Sequence, residues 1–201
     1  MVSQTSKTGT GSPYLEALDQ RVLVYDGAMG TSIQRYHLTA DDFGGKALEG
    51  CNDHLVLTRP DVIREIHASF MVAGVDVVET CTFRPPPRRL EDWGLLAKPG
   101  DFNVAPARLA REVADRFSTP DRPPFVAGSI GPTGMLPSSS DPVLSAISYS
   151  ELSEQYYLQA KYLVEGGVDV LLIETAQDIL EVKAALAGFE RLFTELRHRA
   201  P

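Results

Sequence analysis

The chain has 201 residues, 43% apolar and 23% charged, enough for one domain with its own core. Its formal net charge of −8 argues against a nucleic-acid partner and against an anionic membrane surface. No apolar run approaches the roughly 20 residues of a transmembrane helix, and two cysteines, Cys51 and Cys81, are too few for a disulfide framework, so a reducing cytoplasm is the expected setting.

Residues 1–12 are polar, rich in Ser, Thr and Gly, and lack an apolar stretch, so they read as a disordered tail ahead of a domain over 13–201. Pro13 to Gln20 reads as a short helix with Ser12 as its cap. Arg21 to Tyr25 is the first expected strand. It runs into Asp-Gly-Ala-Met-Gly-Thr, residues 26–31, where Gly27 and Gly30 let the backbone turn and approach a ligand closely. Residues 32–59 are mixed. A helix from Thr58-Arg59-Pro60-Asp61 to about Ala73 puts Ile63, Ile66, His67 and Phe70 on one face. The second strand is Val75 to Glu79. Pro85-Pro86-Pro87 then forbids helix and favours an extended segment. A helix from about Asn103 to Phe117 places Pro106 in its first turn. Phe125 to Ile130 is the third strand, followed by Gly-Pro-Thr-Gly and a Ser/Pro-rich loop. Helix Ser150–Glu165, strand Val168–Glu174 and a helix from Asp178 to about Arg197 complete the pattern.

The last strand has an echo. Gly167-Val168-Asp169-Val170 leads to Glu174-Thr175, and Gly74-Val75-Asp76-Val77 leads to Glu79-Thr80. Both copies are nearly continuous in apolar character, the mark of parallel strands covered on both faces. Both put an acid at the carboxyl end of the strand, where α/β folds bind ligands. Loops after the strands are long and bear glycines, and loops before them are short. The expected class is therefore α/β, with four parallel β-α units in the manner of a (β/α)₈ barrel. A full barrel needs about 250 residues, so these units amount to about half of one.

Asp26, Gly-Ala-Met-Gly-Thr behind it, Asn52-Asp53-His54-Leu55 through Pro60, Glu79-Thr80-Cys81-Thr82-Phe83, Gly131–Gly134 and Ile173-Glu174-Thr175-Ala176-Gln177-Asp178 occur in register. Together they resemble the homocysteine S-methyltransferase family, of the kind seen in the N-terminal homocysteine-binding domain of cobalamin-dependent methionine synthase. The resemblance covers roughly Arg21 to Arg197 and implies the N-terminal half of a TIM-type barrel that binds homocysteine. It also implies a zinc ion that holds the substrate sulfur as a thiolate, and methylcobalamin as methyl donor. The implied zinc ligands are three cysteines on later strands, beyond residue 201. Cobalamin- and folate-binding domains, or a complementary half-barrel chain, are the implied partners. The chain has Cys81 where the family's motif usually has Asn.

The implied substrate-binding residues are Asp26, Gly27, Thr80, Thr82 and Glu174. Asp26 and Glu174 are set to hold an amino group, and the two threonines to meet a carboxylate. Each has a plainer reading. Asp26 can cap a turn, and strand threonines are common. Glu79, at the analogous place to Glu174, can pair with an Arg or with backbone amides. Cys81 reads as a small buried hydrophobe and His67 as a structural residue of its helix. No histidine pair shows metal-ligand spacing, and no phosphate-loop signature is present. Two other readings fit these features: a non-catalytic truncated or split half-barrel, and a different barrel enzyme that binds an amino-bearing small molecule.

Overall fold

The computed structural model describes residues 12–83 and 100–196. The expectations for the N-terminal tail, the triple proline and its neighbouring arginines, and the end of the last helix past residue 196 lie outside them. Within the described residues the helices are α1 (Pro13–Gln20), α2 (Met29–Gln34), α3 (Leu55–Thr58), α4 (Pro60–Ala73), α5 (Asp101–Arg116), α6 (Tyr149–Gly166) and α7 (Ile179–Leu196). The strands are β1 (Val77–Glu79), β2 (Phe125–Ile130) and β3 (Val170–Ile173). No helix among the described residues is long and apolar enough to cross a membrane.

The three strands form one parallel sheet in the order β1-β2-β3, with Val77 opposite Phe125 and Ala127 opposite Val170. β2 lies in the middle and is buried at every position. Alternate side chains leave the sheet on opposite faces. Val78 and Val126 pack with Ile63 and Ile66 of α4 and Val113 of α5, while Ile130 and Leu171 pack with Leu152, Leu163 and Phe189 of α6 and α7. Val77, Phe125, Ala127 and Val170 face the other way, against Leu23 and the Tyr14 and Ala17 side chains of α1. The result is an α/β layer whose helices cover one face along its length.

The twin stretches have twin anchors. Gly74 and Gly167 each take φ of 93°, a left-handed cap that ends α4 and α6 at little cost for glycine. Two residues on, Asp76 accepts the Val24 N–H at 2.9 Å and Asp169 accepts the Val126 N–H at 2.8 Å. Arg21 and Arg122 pair with Asp76, and Arg111 pairs with Asp169. The motif therefore has a structural end and a pocket-facing end: its Asp ties the strand to its neighbour, and its Glu lines a pocket.

Three expectations need correction. Residues 21–25 do not form a strand; a single bridge joins Tyr25 to Val77. The Asp76 carboxylate takes the Val24 N–H, and Val24 O accepts both Asp76 N and Val77 N, so the hydrogen bonds of a regular ladder are diverted. The sheet accordingly has three strands among the described residues and not four. Helix α5 starts at Asp101, two residues early, which puts Pro106 inside the helix and not in its first turn. Residues 29–34, expected as the end of a glycine-bearing turn and the start of a mixed stretch, form α2. The cap of α6 is Ser148, whose hydroxyl accepts from Glu151 N at 3.2 Å while Glu151 Oε2 accepts from Ser148 N at 2.8 Å.

Candidate functional site

The carboxyl ends of β1, β2 and β3 open into a pocket of about 330 Å³. Its wall includes the 26–30 loop, residues 50–53, Glu79, Thr80, Cys81 and Phe83 from the end of β1, Ser129 from β2 and Glu174 from beyond β3. Among the described residues the lining contains the carboxyl groups of Asp26, Glu79 and Glu174, with Asp53 beside them, and no Lys or Arg.

Asp26 sits where the chain leaves its bridge to β1. Its backbone N–H donates to Val77 O at 2.9 Å, and its Oδ1 accepts the Glu79 N–H at 2.9 Å. Burial pushes its pKa up to about 7; the Glu79 N–H works against that rise, and the nearby Glu79 and Glu174 charges add to it. Burial and the Glu174 charge likewise raise Glu79 to about 7. Burial and mutual repulsion thus make both carboxyls harder to ionise than they would be in water. The chain passes this site in unusual conformations: Ala28 and Thr175, next to the glycines and to Glu174, have φ of 54° and 58°.

A clasp behind the wall joins β1 to β2. Ser129 N donates to Thr80 Oγ1 at 3.0 Å, the two threonine hydroxyls lie 2.6 Å apart, and Thr82 Oγ1 donates to Ser129 O at 2.7 Å. For this ring to close, Thr80 must donate to Thr82. Gln159 of α6 donates to Thr82 O at 3.2 Å from below. Ser129 then reaches outward, its hydroxyl donating to Glu174 Oε1. The clasp thus ties the pocket end of β1 to the carboxylate beyond β3.

Of the residues singled out from sequence, Asp26, Gly27, Thr80 and Glu174 meet at this pocket. Thr82 does not line it: the residue is fully buried, with its hydroxyl committed to Ser129 O. Cys81 lines the wall, its thiol 3.9 Å from Asn52 O and its pKa raised by burial and then by the neighbouring Asp53 and Cys51. A thiol held in that state is a poor nucleophile. Ser129 was not singled out from sequence, and Asn52 and Asp53, part of a motif that carries the resemblance, were not expected to line the pocket. A lone polar residue in an otherwise buried strand was the available signal for Ser129. Among the described residues no group of three or more His, Cys, Asp or Glu side chains could hold a metal ion.

A family model described as homocysteine S-methyltransferase matches residues 23–198. The chain belongs to the homocysteine S-methyltransferase family. Methionine synthases of Mycobacterium tuberculosis and Mycobacterium leprae are 42% and 43% identical to it over 187 residues, 93% of this chain. The chain spans 15% of the length of these curated relatives. Among solved structures, the homocysteine methyltransferase MmuM from Escherichia coli, in its oxidized form, superposes with a TM-score of 0.73 at 22% identity, over 94% of this chain and 64% of that one. Its metallated form gives 0.70. At that identity the likeness speaks for the fold alone. The family match runs through the whole pocket, from the segment before Asp26 to beyond Glu174.

Proposed function

We propose that this chain is the homocysteine-binding part of a methyltransferase that makes methionine. The observation that carries the reading is the pocket's charge. Three carboxyl groups converge at the ends of the strands, and the described lining residues include no basic side chain, so these residues favour a ligand that brings positive charge. The ammonium of an amino acid does so, and within this family that amino acid is homocysteine. In this reading Asp26 and Glu174 hold the ammonium, and Gly27 lets the backbone approach the ligand. Thr80 and Thr82 serve the site through the clasp that steadies Ser129 and Glu174.

The reaction is methyl transfer to sulfur. The homocysteine thiol loses its proton, the thiolate attacks an activated methyl carbon, and the bond to the donor breaks with its electron pair leaving on the donor. A free thiol, with pKa about 8.5, is mostly protonated at neutral pH and needs help to ionise. The zinc that the family resemblance implies for that task has no fitting ligand set among the described residues. Methylcobalamin is the proposed donor, supported by the resemblance to cobalamin-dependent methionine synthase. Donor-binding domains, or a chain completing the other half of a barrel, are the proposed partners.

Titration calorimetry of the chain with L-homocysteine under reducing conditions tests the binding step. Heat of binding for L-homocysteine, and none for 4-mercaptobutyrate, which lacks the amino group, is the expected result. Equal binding of both would overturn the assignment of the carboxyl cluster to the ammonium.

A further inference from the structure

Behind Asp26 stands a residue that the pocket does not expose. His67 comes from α4 and has no exposed surface. Its Nδ1 lies 3.9 Å from Oδ2 of Asp26, whose side chain is itself 4% exposed. Among the described residues neither ring nitrogen of His67 has a hydrogen-bond partner. In either tautomer a neutral imidazole has one N–H to donate, and leaving it unmade inside a protein carries the full desolvation penalty of that group. Ile63 and Ile66 of the same helix face are packed without such a cost. The unpaired donor therefore stands beside the pocket carboxylate and calls for an explanation there.

Burial lowers the His67 pKa to about 4, so at neutral pH the ring is uncharged and the contact is no ion pair. Among the described residues the groups that face Asp26 are Glu79 from β1, Glu174 from beyond β3 and His67 from α4. The two glutamates oppose its ionisation. A neutral imidazole N–H favours it, because a bond to an ionised acceptor is about twice as strong as one between neutral groups. Closing 3.9 Å to an ordinary N–H···O distance takes a shift of about 1 Å.

We propose that His67 is a positioning residue for Asp26: its Nδ1–H closes onto Oδ2 when Asp26 ionises and orients the carboxylate toward a ligand ammonium. The second half of the proposal rests on the reading of Asp26 as an ammonium ligand; the first half does not. An arriving ammonium displaces the proton of Asp26 to solvent, and the ionised carboxylate then draws the imidazole in. Ligand binding, carboxyl ionisation and the buried hydrogen bond become one linked event.

Two measurements test it. In the free chain labelled with ¹⁵N-histidine, long-range ¹H–¹⁵N spectra from about pH 5.5 to about 8.5 report tautomer and hydrogen bonding, with His67→Gln assigning the signal. The expected result is a neutral ring with its proton on Nδ1, whose resonance moves downfield as the pH passes about 7, and no movement in Asp26→Asn. A proton on Nε2 throughout, or the same movement in Asp26→Asn, overturns the proposal whether or not any ligand binds. In the second measurement, L-homocysteine binds His67→Leu about tenfold more weakly than wild type, and His67→Gln, which keeps an N–H donor, recovers part of the loss. Equal affinity in wild type and His67→Leu overturns the orienting role. If the wild-type chain does not bind L-homocysteine at all, the functional reading fails and the orienting role with it, while the spectra still decide the His67–Asp26 bond. If His67→Leu does not fold, the comparison of wild type with His67→Gln and the Asp26→Asn spectra carry the test.

Discussion

Glu174→Gln separates charge from shape at the pocket. Gln keeps the size of the side chain and an Oε1 acceptor, so the Ser129 hydroxyl, which donates to Glu174 Oε1, retains its partner. The Glu174 backbone N–H still donates to Ile130 O at 3.0 Å. The negative charge is lost, and the second carboxylate oxygen, an acceptor, becomes an NH2 donor. A hydrogen bond to a charged group is worth about 1.5–3 kcal/mol, so affinity for L-homocysteine should fall about 10- to 150-fold. An opposing effect depends on pH. The Glu174 charge holds up the pKa of both Asp26 and Glu79. Neutralising it lets them ionise more readily and bind an ammonium better, but only where they were protonated to begin with. The loss should therefore be smaller at pH 6.5 than at pH 8, on either side of their values of about 7. Calorimetric titrations of both proteins at the two pH values measure this. An unchanged dissociation constant at pH 8 would remove Glu174 from the ligand's contacts, and a loss independent of pH would refute the coupling among the three carboxyls.

The Asp26 carboxyl, raised from 3.8 to about 7, binds its proton more tightly in the folded chain than in the unfolded one, so its contribution to stability is complete below about pH 4 and is lost as the pH rises through about 7. His67, lowered from 6.5 to about 4, acts oppositely and loses stability as the pH falls through that window. Denaturant titrations of wild type against Asp26→Asn isolate the first effect: the variant should gain relative stability from about pH 4 to about 7, and a constant difference would contradict the shift. At Gly188 of α7 an added Cβ would lie 2.6 Å from Ser153 O and 2.8 Å from Tyr157 N of α6, so Gly188→Ala should cost about 1–3 kcal/mol in chemical denaturation; a neutral result would mean the two helices can part freely. Val22 and Val24, 83% and 53% exposed, leave the apolar side of the 22–25 segment open, and β3 has a sheet partner on one side among the described residues. The 201-residue chain should therefore self-associate or bind a complementary chain at low micromolar concentration; sedimentation that shows one monomeric species with a cooperative melt would show the sheet to be self-sufficient.

Much of this architecture is legible along the chain because its causes are local. Pro13 and Pro60 stand at helix starts, Gly74 and Gly167 at helix ends, and the expected strands overlap β1, β2 and β3. Helix caps and apolar periodicity depend on neighbours a few residues away, so sequence alone determined the α/β rhythm and the meeting of strand ends at acidic residues. The 21–25 segment shows where this stops. Its composition is that of a strand, yet the Asp76 carboxylate, 52 residues from Val24, takes the N–H that a ladder would use. The same holds at the pocket. Asp26 and Glu174 could be picked out by their place after apolar runs. That Thr82 turns inward, that Ser129 carries the clasp to Glu174 across 45 residues, and that His67 stands unpaired behind Asp26 were decided by the register of β1 against β2 and by the seat of α4 on the sheet. A side chain that bonds to backbone or carboxylate half a domain away obeys the geometry of the packed layers, and one-dimensional spacing does not carry that geometry.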